Sequence, residues 1–191
     1  MYTTLNDIRA FNPCKEGWKT LLKSLGKTKA DDEPLSLLQV LSSNGLSDTL
    51  WCFGVVDDFE KEKRLLAVAF AREVQHLIKD ETLLSALDVA ERYAYGLLTE
   101  QELARTQDAV YAVTVKAWGT EITSEPANSI GFLVEACVED HVYPLDAASA
   151  AQDAVWWFHA LSTDHKNSVD ALDRVQEKQQ GLLRSMLERL T

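Results

Sequence analysis

Marks that start and stop helices recur along most of this chain at helix-length intervals, and little between them is suited to a strand. Asn12-Pro13 opens a helix that Gly26 closes; Pro34 opens another that Asn44-Gly45 ends. Ser47 or Asp48 is placed to cap the next, and Asp80 caps one that Gly96 terminates. Thr99-Glu-Gln-Glu102 has the form of a capping box, in which the Thr99 hydroxyl accepts from the third helical N–H and Glu102 reaches back. Composition points the same way. Among 191 residues there are 27 Leu and 21 Ala against 15 Val and 4 Ile, with 8 Gly and 4 Pro. Straight-chain and small side chains lose little freedom in a helix, whereas β-branched ones favour strands. The fold class expected is all-α.

Apolar periodicity fills in the helices. Residues 13–25 carry Trp18, Leu21, Leu22 and Leu25 on one stripe, and a long helix is expected over 59–79. Its middle, LLAVAFA at 65–71, is apolar all round, which suits a central helix buried on several sides. Further helices are expected over 99–117, 129–141, 145–161 and 167–190. The last carries Leu172, Val175, Leu182, Met186 and Leu190, a stripe able either to close a bundle or to form a dimer. The sequence predicts one compact bundle of about nine or ten helices over 1–191. GTEITSEPANS, at 119–129, is the loop where two abutting subdomains would meet.

Several functions are disfavoured. The first dozen residues lack the apolar core of a secretory signal, and no run approaches the ~18 apolar residues needed to span a bilayer. A cytoplasmic protein is expected. Cys14, Cys52 and Cys137 show no CxxC spacing and have apolar neighbours, so each is expected to be a buried small hydrophobe. Glu73-Val-Gln-His76 is half of the ExxH pattern of di-iron bundles, but its second half is missing. Histidine followed by aspartate, GxSxG and a glycine-rich phosphate loop are all absent. Neither catalytic residues nor a metal or other cofactor is expected.

Charge is the informative feature. The chain has 30 acidic and 19 basic residues, a net of −11, which disfavours direct nucleic-acid binding. Residues 1–80 hold 12 acids and 11 bases, whereas 81–191 hold 18 and 8. The stretch 99–164 has 11 acids against only Arg105 and Lys116. Glu121, Glu125, Glu135, Glu139, Asp140, Asp146 and Asp153 within it are the candidate partner-binding residues. Glu135 and Glu139 are four apart and Asp146 and Asp153 seven apart, so each pair shares a helical face. Uncompensated like charge creates a field that steers a basic partner, although an ordinary solvated face reads similarly. Lys15, Lys19, Lys23 and Lys27 form an opposite, basic stripe, either a secondary contact or a plain polar face. Trp156-Trp157-Phe158 spans about 200° of helix, which favours burial on two sides.

Two stretches, 12–56 and 72–104, resemble an uncharacterised helical family of phages and bacteria, some of whose members are labelled as candidate immunity proteins; ALDVAERYAYG followed by TEQELA is the most specific part. The resemblance implies a setting of phage–host conflict. Small acidic helical proteins there often bind stoichiometrically: immunity proteins mask a toxin, and anti-CRISPR or anti-restriction proteins cover a nucleic-acid-binding surface, sometimes as DNA mimics. The expectation is a non-enzymatic inhibitor whose acidic surface blocks a basic, nucleic-acid-handling partner. A homo-oligomeric scaffold is the alternative, and an enzyme with a cryptic site at Glu73 and His76 is a third.

Overall fold

A computed structural model describes residues 1–56, 58–117, 125–160 and 165–191; the side chains at 117, 125 and 165–167 lie outside that description. The fold is a compact all-α bundle. The described residues form α1 (Leu5–Ala10), α2 (Lys15–Ser24), α3 (Leu37–Asn44), α4 (Leu46–Val55), α5 (Glu60–Glu73), α6 (Glu81–Ala94), α7 (Glu100–Ala117), α8 (Glu125–Val138), α9 (Pro144–Ala160) and α10 (His165–Arg189). Two short strands, β1 (Tyr2–Thr3) and β2 (Leu35–Ser36), pair antiparallel, with Tyr2 opposite Ser36.

Two helices hold the centre. α5 touches α6, α8, α9 and α10, as its apolar middle requires, and Leu66, Ala67, Val68, Phe70 and Ala71 are buried. α9 touches α4, α5, α8 and α10. It is the alanine-rich helix, and Ala147, Ala148, Ala151 and Ala154 are essentially inaccessible. Small side chains let neighbouring backbones approach, so one helix can serve four neighbours. α10 closes the bundle, with Leu183 and Leu187 fully buried and Met186 nearly so. Between α9 and α10 the buried Gln179 accepts from Gln152 at 2.7 Å and donates to the Ala148 carbonyl at 3.0 Å, which fixes their register.

Several boundaries differ from those the sequence suggests. Asn12 does not cap the second helix: it sits at φ 54°, and Cys14 takes the cap instead, its Sγ accepting from the Gly17 N–H at 3.3 Å. Cys14 is therefore exposed rather than buried, whereas Cys52 and Cys137 are in the core. A further helix, α1, begins at a capping box made by Thr4 and Asp7. Leu35 and Ser36 are strand, so α3 starts at Leu37 with Ser36 as its cap. α4 starts at Leu46 with Gly45 at the cap position, so Ser47 and Asp48 lie inside its first turn rather than capping it. The helix expected over 59–79 ends at Glu73, where Val74 leaves helical geometry at φ −112° and a 3-10 turn, Gln75–Leu77, follows. α8 begins at Glu125, with Pro126 in its first turn, where a missing N–H costs nothing; residues 119–124 of the expected loop lie outside the described residues. The aromatic triplet is not buried as expected, since Trp156 is 37% and Phe158 50% accessible.

Two cations are buried on α5. Lys63 donates to the Val56 carbonyl at 2.8 Å and pairs with Glu60 at 2.9 Å. Arg64, 3% accessible, donates to the carbonyls of Cys137 at 2.8 Å, Glu139 at 2.7 Å and Asp140 at 3.3 Å, and lies 5.0 Å from the Tyr93 ring centre. The Cys137 carbonyl, in the last turn of α8, and the two that follow the helix at Glu139 and Asp140 are thus satisfied from the bundle's central helix. Arg64→Leu should cost about 3 kcal/mol in urea denaturation, because it leaves those acceptors buried and unpaired. Arg64→Lys should recover only part, since an ammonium lacks the guanidinium's fixed fork of donors.

Candidate partner-binding surface

The acidic segment forms its densest surface where α7 and α8 run side by side. α7 starts at the expected capping box, with the Glu102 carboxylate accepting from the Thr99 N–H at 2.8 Å and the Thr99 hydroxyl accepting from the Glu102 N–H at 3.3 Å. Leu103, Val110 and Thr114 are buried on its inner side. Asp108, Tyr111 and Val115 recur at spacings of three and four on its outer side, and all three are exposed. α8 buries Ile130, Leu133, Val134 and Cys137 and turns Phe132 outward, and the exposed Glu139 follows its last residue.

Two contacts set the antiparallel register. Gln107 Nε2 donates to the Val138 carbonyl at 2.8 Å and to Asp140 Oδ1 at 3.2 Å. Further along, a Cβ added at Gly131 would lie 2.8 Å from the Thr114 side chain, so only glycine allows the helices to meet there.

A groove of about 380 Å³ results, lined by Asp108, Tyr111, Glu135, Glu139 and Asp140, with Gln107 and Val138 at its base. Among the described residues none of its four carboxylates is in an ion pair. Glu135 is only partly accessible, and its Oε1 is buried without a hydrogen-bond partner. Burial pushes its carboxyl above the usual range; the adjacent Thr114 hydroxyl opposes this and the Glu139 carboxylate adds to it.

The expected acidic residues therefore divide. Glu135, Glu139 and Asp140 come together, joined by Asp108 and Tyr111, which sequence reasoning did not select. The period of α7 was the available signal: it turns Asp108 and Tyr111 away from the buried stripe of Leu103 and Val110. Asp146 and Asp153 do not line the groove; they share an exposed edge of α9 with Ser149 and Trp156, and burial pushes the Asp146 carboxyl upward. Glu121 lies outside the described residues, and Glu125 is in the first turn of α8 with its side chain outside them. Of the basic stripe, Lys15, Lys19 and Lys23 are exposed on α2, with Glu16 3.4 Å from Lys19. Lys27 falls beyond the helix and is held by Asp31 and Glu33, each at 2.7 Å, which raises its pKa through those hydrogen bonds.

The ExxH residues do not share a helical face, because α5 ends at Glu73 and His76 lies in the following turn. Glu73 pairs with Lys178 at 2.6 Å. Among the described residues no group of three or more His, Cys, Asp or Glu is placed to hold a metal ion. Burial pushes the thiols of Cys52 and Cys137 up to about 12, which keeps both as unreactive thiols. Among the described residues no helix is long and apolar enough to cross a membrane.

No family model matches the chain, and no significant match is found among the curated proteins or the solved structures.

Glu135 carries a pH signature. Its folded-state pKa is raised, so the folded form binds the proton more tightly than the unfolded chain does. That contribution to stability is full below the ordinary value of 4.5 and is lost as pH rises through the higher folded value. Glu135→Gln should therefore flatten the stability profile just above pH 4.5 and raise the melting temperature at pH 7. Thermal melts of both proteins across pH 4–8 provide the check.

Proposed function

We propose that this chain is a non-enzymatic binding protein that blocks a basic, nucleic-acid-handling partner through the α7–α8 face, in the manner of an anti-CRISPR, anti-restriction or immunity protein. The observation that carries this reading is the groove itself: Asp108, Glu135, Glu139 and Asp140 converge on one concavity, and among the described residues no cation is paired to any of them. Carboxylates grouped in this way give a local negative potential able to accelerate encounter with a basic surface. Tyr111, 61% accessible in the same groove, and Phe132, 43% accessible one helical turn before Glu135, supply aromatic area for the contact. Charge then governs approach, and ring burial governs how long the complex lasts.

The setting of phage–host conflict comes from the family resemblance and belongs to the same proposal. Its test is a comparison of the wild type with an Asp108→Lys/Glu139→Lys/Asp140→Lys variant as bait for bacterial lysate at low and moderate salt. The wild type should retain a basic protein that binds nucleic acid, and added duplex DNA should compete for it. The variant should lose at least about tenfold in affinity, a change of roughly 1.4 kcal/mol, with a weaker salt dependence. Equal retention by both baits, or a retained partner that is not basic, would overturn the reading.

A further inference from the structure

A second concavity lies away from the acidic groove, between α2 and α4. It is a cavity of about 390 Å³ with walls from α1, α2, α3, α4 and α9. Trp18 and Trp51 contribute two indoles, Leu21 and Val40 an apolar lining, and Asp48 the single formal charge among its lining residues. We propose that this cavity binds a small organic cation, an ammonium group on an aryl or alkyl body.

Three observations support that ligand class. First, Asp48 has no cationic partner within salt-bridge distance among the described residues. Its Oδ2 accepts from Asn44 Nδ2 at 2.8 Å, and the same amide donates to the Gly17 carbonyl at 2.8 Å, so the carboxylate is held at the wall. Second, a Cβ at Gly17 would lie 2.5 Å from Asp48 Oδ2. Glycine inside a helix costs about 1 kcal/mol relative to alanine, and here it gives the carboxylate room. Third, Trp18 and Trp51 both line the cavity, and an indole ring attracts cations through its quadrupole. A carboxylate beside two indoles in an apolar cavity therefore selects a positive, partly apolar guest over a neutral or negative one. The basic residues Arg9, Lys15 and Lys29 line an adjoining groove that shares Trp18, not the cavity itself.

The probes are 2-phenylethylammonium, 2-phenylethanol and 3-phenylpropionate, titrated into the full chain by calorimetry and followed by ligand-observed NMR. The ammonium should bind at least about tenfold tighter than either isostere, corresponding to the loss of one ion pair and its cation–π contact. Asp48→Asn, which keeps an acceptor for Asn44, should abolish that preference in protein that still melts cooperatively. Ser47→Arg places a cation at an exposed position on the rim and tests the same electrostatics without touching the buried wall; it too should eliminate ammonium binding. Equal binding of all three probes, no ammonium binding up to about 10 mM, or an undiminished preference in either variant would overturn the proposal.

Discussion

The guanidinium of Arg64 is the contact on which the arrangement of the acidic half depends. It extends from the central helix α5, is almost inaccessible, and gives its donors to three carbonyls at the end of α8. A charge in that position is costly, and burial lowers its pKa accordingly. The cost is offset because the acceptors lie at and just past the C-terminal end of a helix, where the backbone dipole favours a cation, and because the Tyr93 ring and the Glu60 and Asp140 carboxylates also favour it. With α8 ended at that point, Glu139 and Asp140 lie just past the helix. Asp140 is then within reach of Gln107 on α7, and the groove is set.

The alanine helix α9 matters for a related reason. Because its buried positions are small, α8 packs closely against it, and α8 in turn meets α7 across Gly131 and Thr114. Both flanking helices are thus held by packing on their inner sides and by side-chain hydrogen bonds at one end. Outward-facing groups on a platform of this kind present a fixed pattern, and little ordering entropy is left to lose on contact. This applies to Asp108 and Tyr111, which stand on regular helix, better than to Glu139 and Asp140, which follow α8.

Much of the fold was legible in the sequence because helix caps are local. Asp80, Gly96 and the Thr99–Glu102 box stand where the residues alone put them, since each acts within one turn. The errors arose where a distant contact decided the outcome. Leu35 and Ser36 are strand because Tyr2 and Thr3 pair with them, a partnership invisible in the local pattern. The long helix expected through Lys79 is cut at Val74, although the apolar period continues through Leu77 and Ile78. Cys14 reads as a hydrophobe by its neighbours yet serves as a helix cap, because Asn12 is already used in a left-handed turn. The acidic groove was half legible. Spacing put Glu135 and Glu139 on one face, but only the α7–α8 register, set by Gln107 and Gly131, brings Asp108 and Tyr111 to them.

Arg64 also bears on the charge of the groove. Two basic side chains, Arg105 and Lys116, accompany the 11 acids of residues 99–164, and neither forms an ion pair with the groove carboxylates among the described residues. Arg64 lies beneath Asp140, but its donors are directed to backbone carbonyls rather than to the carboxylate. A cation used this way holds the surface in shape while neutralising it only through the intervening protein, where a direct ion pair would have cancelled the local field. Glu135 carries the opposite cost, since burial and the Glu139 carboxylate raise its pKa and, among the described residues, no cation pairs with it. Shape and negative potential in the groove are therefore supplied by different residues, and a neutral replacement at Glu135 separates them: it relieves desolvation while leaving the Arg64 contacts intact.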